Sequence, residues 1–294
     1  LCMVFLVKSV TISFNMNILL TNDDGYRAKG IHVLAEIMSS FGDVTVIAPK
    51  KHQSGMGMAV SLGFRQVAYK ELPEEGPGTW SYLDATPASC IKYGLNFQFL
   101  EHKPDVIVSG INHGSNAASA SCYSGTLGAA REGALNGILS IGLSLDSLNP
   151  DADFSAVRKY FPEIFRNLLA TDPKKPGLYY NVNFPGIPAD RIKGVRRACQ
   201  GKGIWVREFR EWDPERLRHH GITPEMLGQS SEAMVEPGEK LYMMVGDFQD
   251  DPTNTGQADH HLMAEGYIAV CPCMIDSTDY EINEQLEIDR NFAQ

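Results

Sequence analysis

A short apolar run followed at once by turn-forming residues constrains the fold more than any other stretch. The run covers Ile18 to Leu20, and the sequence Asn22-Asp23-Asp24-Gly25 follows it. A buried strand that ends in a turn has this pattern. Apolar residues at helical spacing then extend from Ile31 to Met38, and a second apolar run, Val44 to Ala48, ends at Pro49. The pattern predicts a βαβ unit with two parallel, neighbouring strands.

Alternating helices and strands are predicted for most of the remaining chain. Gly42 is expected just past the end of the first helix, and Thr86-Pro87 begins another, because proline is favoured in a first helical turn. The further predicted strands are Val106–Ser109, Ile138–Leu145, Leu178–Phe184 and Tyr267–Ile275. From Cys199 to Asp259 the pattern has no clear period, which indicates an extended arm with a hairpin tip at Glu236–Glu239.

These patterns divide the chain into four parts. Residues 1–15 are apolar with a single lysine, are too short to span a bilayer, and lack the features of a secretion signal. We expect them to be a leader or extension, with the native start at Met16. Residues 16–198 are predicted to form the catalytic domain, and residues 199–258 an arm used in oligomer contacts. Residues 259–294 are predicted to return to the core as a strand and a helix.

Composition narrows the class of partner. The chain has 294 residues, of which 43% are hydrophobic and 21% charged, and this is ordinary for a globular protein. Its formal net charge of −10 argues against a nucleic-acid polymer as the main partner, because phosphate backbones are bound by basic surfaces. We also expect no membrane partner. A small anionic ligand is still compatible, since one bound metal ion can reverse the local charge.

The cysteines do not indicate a disulfide framework. Six are present, and Cys271 and Cys273 are the one close pair. Both lie in the predicted strand Tyr267–Ile275, where alternate residues share a face. We favour core packing over a metal half-site, because no second Cys or His pair stands at the spacing of a structural zinc site. The expected location of the protein is the cytoplasm.

Oxygen-bearing side chains occur just beyond three of the predicted strands. Asp23 and Asp24 follow the first strand, Ser54 follows the second after a short loop, and Asn112 follows the third. The carboxyl ends of parallel strands share one rim of the sheet, so these groups can converge. Such a set of oxygen ligands suits one hard divalent ion, Mg²⁺ or Mn²⁺. An ordinary turn with helix capping is the alternative explanation for the aspartates.

Two further clusters are candidates for chemistry. Ser124, Gly125 and Thr126 begin a predicted helix, where unpaired N–H groups and the helix dipole favour an anion. The alternative there is a helix cap followed by small residues for close packing. His260 and His261 could be ligands or a proton donor, or they could be ordinary surface or core histidines.

Several of these motifs occur together in a fixed order. They are Asn17–Gly25, Val46–Pro49 with Ser54-Gly55, Thr86-Pro87, Pro104–Asn112 and Tyr123–Thr126. Together they resemble the survival protein SurE family of metal-dependent nucleotidases. The resemblance is dense from residue 16 to about residue 145, and it returns at Asn181–Pro185, Asp259 and Glu265–Tyr267.

The resemblance implies an α/β fold, a Rossmann-like three-layer α/β/α sandwich with a mostly parallel sheet. It also implies metal-dependent hydrolysis of nucleoside 5′- or 3′-monophosphates to nucleoside and phosphate. Members of the family form homo-oligomers with an exchanged C-terminal arm, so a homodimer or homotetramer is expected. A non-catalytic, metal-dependent nucleotide-binding regulator is the alternative. An aspartyl-phosphate phosphatase is less favoured, because Gly25 stands where its second aspartate is needed.

Site residues carry over from the family by position. The metal ligands are Asp23, Asp24, Ser54 and Asn112, of which the two aspartates are also the catalytic residues. The predicted phosphate- or substrate-binding residues are Asn22, Gly55, Asn116, Ser124, Gly125 and Thr126. His113 and Asp259 are the candidate proton donors.

Overall fold

A computed structural model of the protein describes residues 16–63, 66–73, 75–213, 215 and 236–286. The strands are β1 (Met16–Thr21), β2 (Gly42–Pro49), β3 (Tyr69–Glu71), β4 (Thr79–Leu83), β5 (Val106–His113), β6 (Leu139–Leu145), β7 (Leu178–Phe184), β8 (Gly194–Arg197), β9 (Gly203–Val206), β10 (Phe209–Glu211), β11 (Tyr242–Met244), β12 (Asp247–Asp250) and β13 (Tyr267–Met274). The α-helices are α1 (Lys29–Met38), α2 (Pro87–Tyr93), α3 (Ala120–Tyr123), α4 (Gly125–Leu135), α5 (Ser155–Thr171), α6 (Asp259–Ala264) and α7 (Tyr280–Gln285). The predicted leader, residues 1–15, lies outside the described residues.

The central sheet is mostly parallel, as predicted. Within the described ranges it has nine strands in the order β3-β4-β2-β1-β5-β6-β7-β13-β8. The six strands from β4 to β7 run parallel, while β3 is antiparallel to β4 and β13 is antiparallel to β7. Because β1 lies between β2 and β5, the loops after these three strands emerge side by side at one edge of the sheet.

Helices cover both faces of the sheet, which gives the expected three-layer sandwich. Ile18 and Leu20 of β1 pack in the cluster that contains Ile31 of α1 and Phe161 of α5. Leu19, between them, faces the opposite side and packs with Ile91 of α2. This alternation is the ordinary geometry of a strand with both faces buried. The fold class predicted from the sequence is therefore confirmed.

Gly42 has a different role from the predicted one. Helix α1 ends at Met38, Ser39 is its C-cap, and Gly42 is the first residue of β2. A Cβ atom at Gly42 would lie 2.1 Å from the carbonyl oxygen of Met16. Glycine is thus needed because β1 and β2 approach closely at this point, and the prediction of a helix-ending glycine was wrong.

Two short ribbons occupy the described part of the predicted arm. Strand β9 pairs with β12, and β10 pairs with β11, both in antiparallel fashion. A turn in which Glu239 N–H donates to Glu236 O at 3.0 Å stands between β10 and β11. None of the helices in the described part of the chain has the length and apolar character needed to cross a bilayer.

Candidate functional site

The two candidate aspartates lie in a tight turn at the carboxyl end of β1. Asn22 shapes this turn, since its side-chain Nδ2 donates to Gly25 O at 2.9 Å, and Gly25 adopts a positive φ of 96°. Positive φ values of this kind favour glycine. Asp23 is buried, with 3% of its surface exposed, and Asp24 is largely buried beside it. The local sequence therefore places two largely buried carboxylates at the edge of the sheet.

The loop after β2 and the start of α4 both reach Asp23. Gln53 N–H donates to the backbone oxygen of Asp23 at 2.7 Å, and Ser54 is the next residue. A Cβ atom on Gly125 would lie 3.0 Å from Asp23 Oδ2 and 3.2 Å from the carbonyl oxygen of Gln53. Thr126 Oγ1 donates to Asp23 Oδ1 at 2.5 Å. Three separate segments thus meet at Asp23: its own turn, the loop after β2 at its backbone oxygen, and the start of α4 at its carboxylate.

Asp24 connects the same turn to β5. Its Oδ2 accepts from the backbone N–H of His113 at 3.0 Å and lies 3.1 Å from His113 Nδ1. Its Oδ1 lies 3.4 Å from His52 Nδ1. Asn112 precedes His113, and its Nδ2 donates to Gly114 O at 2.7 Å, so its Oδ1 is the side-chain atom left to act as a ligand.

The pKa values of the two carboxyl groups shift in opposite directions because their surroundings differ. Burial raises the pKa of Asp23, and the charge on Asp24 raises it further, although hydrogen bonds from Thr126 lower it in part. Burial also opposes ionisation of Asp24, but hydrogen bonds from His113 and His52 outweigh it and lower the pKa of Asp24. A nearby cation would favour the ionised form of Asp23, whose surroundings otherwise disfavour it.

The four candidate ligands suit a hard cation, and two polar atoms near them have no hydrogen-bond partner. Asp23, Asp24, Ser54 and Asn112 offer carboxylate, hydroxyl and amide oxygens, which magnesium and manganese ions prefer. Among the described residues, Asn22 Oδ1 and His113 Nε2 are buried at this turn without a hydrogen-bond partner. Buried polar atoms are rarely left unpaired, and functional sites account for many of the exceptions.

The start of α4 has roles in capping and in orienting Asp23. Ser124 Oγ accepts from Leu127 N–H at 3.1 Å, which makes Ser124 the N-cap of the helix. The Thr126 hydroxyl is already engaged with Asp23. Gly55, by contrast, is exposed and adopts a positive φ of 75° in the loop after β2. The N-cap predicted as an alternative is therefore present, and the next two residues, Gly125 and Thr126, lie against Asp23.

Asn116 belongs to a buried network of amide side chains. Its Nδ2 donates to Ser144 Oγ at 2.8 Å, and its backbone N–H donates to Asn183 Oδ1 at 2.9 Å. Asn181 Nδ2 donates to Asn116 O at 2.9 Å, and Asn183 Nδ2 donates to Asn181 Oδ1 at 2.8 Å. The network anchors the loop after β5. Two asparagines at alternate positions of an apolar strand were the sequence signal for it.

His52 is a site residue that the sequence reasoning missed. It is mostly buried, and although burial lowers its pKa, the contact with Asp24 outweighs this and raises the pKa of His52. A single histidine in a polar loop is not part of a helical or strand pattern, so no periodicity indicates it. Its position directly before Gln53-Ser54, in the loop of a predicted metal ligand, was the signal that could have indicated a role at the site.

Asp259, one of the two candidate proton donors, has a structural role in the fold. It is fully buried, and its carboxylate accepts from the backbone N–H groups of Ala118, Gly201 and His260 at 2.9 to 3.1 Å. Asp259 therefore joins three segments that are distant in sequence.

Replacing Asp259 with asparagine should destabilise the protein strongly. The new NH₂ group would face backbone N–H donors, so at least one buried donor would lose its partner. We expect the free energy of unfolding to fall by about 3 kcal/mol, because hydrogen bonds to charged groups contribute about that much. Urea denaturation measures this change. Asp190→Asn, at an exposed position, is the control, and equal stability of the two variants would contradict the role given to Asp259.

Comparison with known proteins finds relatives over most of the chain. The model of the family described as survival protein SurE matches residues 18–207. The 5′-nucleotidase SurE of Cytophaga hutchinsonii is 36% identical over 277 residues, covering 94% of this chain and 97% of that protein. The 5′-nucleotidase SurE of Bacteroides fragilis is 36% identical over 270 residues, covering 92% of this chain and 96% of that protein.

A solved structure gives the same result at the level of the fold. The crystal structure of the SurE protein from Aquifex aeolicus superposes with a TM-score of 0.71 at 27% identity, covering 92% of this chain and 98% of that chain. The resemblance predicted from the ordered motifs is confirmed by the family model, the relatives and the fold together. The chain belongs to the SurE family.

Proposed function

We propose that this protein is a divalent-metal-dependent nucleotidase that hydrolyses nucleoside 5′-monophosphates, and 3′-monophosphates, to nucleoside and phosphate. The observation that carries the proposal is the meeting of three segments at Asp23, one of which is the N-terminus of helix α4. The names of the curated relatives, all 5′-nucleotidase SurE, support the substrate class. Family membership makes the enzyme a phosphoric monoester hydrolase.

Asp23, Asp24, Ser54 and Asn112 would hold one Mg²⁺ or Mn²⁺ ion. Phosphate monoester hydrolysis is among the slowest uncatalysed reactions, and its transition state spreads negative charge over the phosphoryl oxygens. When bound, the dication stabilises that charge and lowers the pKa of a coordinated water. The contacts of Asp24 with His113 and His52 use three of the roughly four acceptor sites of an ionised carboxylate, which leaves one site free on Oδ1.

The start of α4 is proposed to bind the phosphate. Backbone N–H groups at Ser124 to Thr126 and the positive end of the helix dipole favour an anion. Gly125 has no side chain, which lets the start of α4 lie directly against Asp23 and the carbonyl oxygen of Gln53. We assign Asn22, Gly55 and Asn116 to the substrate side of the site because they adjoin the Asp23 turn, the Ser54 loop and the loop after β5.

His113 is the proposed proton donor to the leaving alkoxide. Its Nδ1 is held by Asp24 Oδ2 at 3.1 Å, so Nε2 is the nitrogen left to transfer a proton. Within the described residues Nε2 has no hydrogen-bond partner, which a leaving-group oxygen would supply. Asp24 would thus orient the ring as well as bind the metal, in the way that carboxylates orient other catalytic histidines.

Removing the Thr126 hydroxyl should weaken metal binding while leaving the fold intact. Thr126→Val keeps the side-chain shape but removes the donor to Asp23 Oδ1. Partners that orient metal ligands typically contribute about 10- to 100-fold in metal affinity or activity. We expect a rise of that size in the metal concentration needed for half-maximal activity, measured by Mn²⁺ titration. Thr126→Ser keeps the hydroxyl and should be close to wild type, and equal losses in both variants would contradict the orienting role.

Oligomer contacts through the arm and a cytoplasmic location complete the proposal. The ribbon formed by β10 and β11 exposes the large apolar residues Phe209, Tyr242 and Met244, which are 68%, 52% and 66% exposed. Apolar surface of this kind is typical of protein contacts, and a homodimer or homotetramer would cover it. The described cysteines are free, which suits a reducing compartment such as the cytoplasm.

A phosphatase screen tests the proposal. Purified protein is incubated with nucleoside 5′- and 3′-monophosphates and with Mg²⁺, Mn²⁺ or EDTA, and released phosphate is measured. We expect phosphate release with the divalent ions and none with EDTA, with recovery after the metal is added back. Nucleotide binding without any phosphate release would instead identify a non-catalytic regulator. Trapping of a phosphorylated aspartate would indicate a different mechanism.

A further inference from the structure

A second group of possible metal ligands lies outside the Asp23 site. Among the described residues, Asp250, His260 and His261 form one group whose ligand atoms all lie within 4.8 Å of one another. His260 Nε2 lies 2.9 Å from Asp250 Oδ1, and His261 Nε2 lies 2.7 Å from Asp250 Oδ2. Asp250 ends β12, and the histidines lie in α6, so the group connects an arm ribbon to a helix of the main domain.

Each histidine ring has an acceptor at its other nitrogen. His260 Nδ1 lies 3.5 Å from Asp259 Oδ1, and His261 Nδ1 lies 3.2 Å from Thr255 O. Metal-bound histidines in proteins nearly always place the second ring nitrogen against a carboxylate or a backbone carbonyl. In the tautomer with the N–H at Nδ1, these oxygens would accept the hydrogen bond and the lone pair at Nε2 would be available to an ion.

Packing holds the His260 ring in place. A Cβ atom at Gly201 would lie 2.2 Å from His260 Nδ1, so the backbone of Gly201 is pressed against the ring. The Phe248 ring packs edge to face against the His260 imidazole, with a distance of 5.4 Å between the ring centroids. A ligand that is fixed before binding loses little conformational freedom when an ion arrives.

The facing atoms of this group leave a place for a cation between the rings and Asp250. Both Nε2 atoms face Asp250 oxygens, while both Nδ1 atoms face other oxygens. With the N–H at Nδ1, each Nε2 lone pair would face the carboxylate, and a dication between them would attract all three groups. One dication satisfies all three groups at once, and the partial exposure of the histidines gives it access.

We propose that Asp250, His260 and His261 bind a transition-metal dication of the zinc class and that this ion clamps β12 onto α6. Two imidazoles and a carboxylate suit zinc better than magnesium or calcium, which prefer oxygen ligands alone. The clamp would extend further, because Asp259 of the same helix holds the backbone at Ala118 and Gly201. It would therefore fix the arm ribbon relative to the loop that precedes α4.

Zinc stoichiometry of the full chain tests this site separately from the Asp23 site. The protein is loaded with Zn²⁺, desalted, and analysed for metal by atomic emission. In an Asp23→Asn/Asp24→Asn background we expect about one zinc ion per chain to remain. Adding His260→Ala and His261→Ala should remove that ion, whereas adding His102→Ala, at an exposed histidine, should not. Zinc retention in the variant that lacks both histidines would overturn the proposal, and so would the absence of retained zinc in the background chain.

A second variant and an anomalous-scattering map distinguish the loss of zinc ligands from unfolding of the protein. In the same background, Zn²⁺ at about 100 times its dissociation constant should raise the melting temperature by about 5 °C. His261→Gln, which keeps a polar contact with Asp250, should abolish that rise while melting like its parent in EDTA. Crystals soaked in Zn²⁺ should show anomalous density between the two Nε2 atoms and Asp250. An equal rise in His261→Gln, or no density there, would contradict the site. Neither result depends on nucleotidase activity.

Discussion

Replacing Asp23 with asparagine should lower metal-dependent phosphate release by about a thousandfold, a loss of the size seen when an enzyme loses a principal electrostatic contact in the transition state. Asp23 lies where the loop after β2 and the start of α4 meet, and its carboxylate is a proposed ligand of the metal ion. Steady-state assays with a nucleoside 5′-monophosphate and Mn²⁺ measure the effect.

The stability of the same variant separates a lost ligand from a damaged fold. Burial and the charge on Asp24 disfavour ionised Asp23, so a neutral asparagine should leave the metal-free protein at least as stable as wild type. Mn²⁺ at about 100 times its dissociation constant should stabilise the wild type by about 2.7 kcal/mol and the variant far less. Asp43→Asn, at an exposed position of β2, is the matched control. Undiminished turnover in Asp23→Asn would refute the metal role of this residue.

Gly125→Ala should lower kcat/KM by about 100-fold. The new Cβ would lie 2.9 Å from Asp23 Cβ and 3.0 Å from its Oδ2, so the carboxylate must move. A displacement of about 1 Å in a catalytic constellation can cost about 100-fold in rate. We also expect the free energy of unfolding to fall by about 1 to 3 kcal/mol, because the methyl group is added to a packed site.

Comparison with a second glycine shows whether the effect is local. Gly256→Ala introduces the same methyl group at a position where no atom lies within 4 Å of the new Cβ. Its activity should match wild type. If Gly125→Ala also retains full activity and metal affinity, then the close contact between Gly125 and Asp23 has no functional consequence.

The parts of the fold that could be predicted are those whose sequence patterns lie in neighbouring residues. The apolar run of β1 and the turn residues after it are adjacent in sequence, so strand, turn and carboxylates could be read together. Parallel pairing then placed Asp23, Asp24 and Asn112 at one edge, since the order strand, helix, strand leaves few topologies. The edge strand β3 had no such signal, because it has three residues that are exposed or half-buried.

The parts that were missed depend on contacts between distant residues. Gly42 follows α1 closely enough to suggest a helix end, but its real constraint is the backbone of Met16. The packing of Asp259 also depends on distant partners. Its N–H donors come from Ala118 and Gly201 as well as its neighbour, and no local pattern indicates such partners.

A crystal structure with Mn²⁺, recorded at a wavelength where manganese scatters anomalously, tests the central claim most directly. We predict one anomalous peak within ligand distance of Asp23, Asp24, Ser54 and Asn112, at the carboxyl edge of β1, β2 and β5. Density for manganese elsewhere, with these four side chains too far apart to share an ion, would contradict the account.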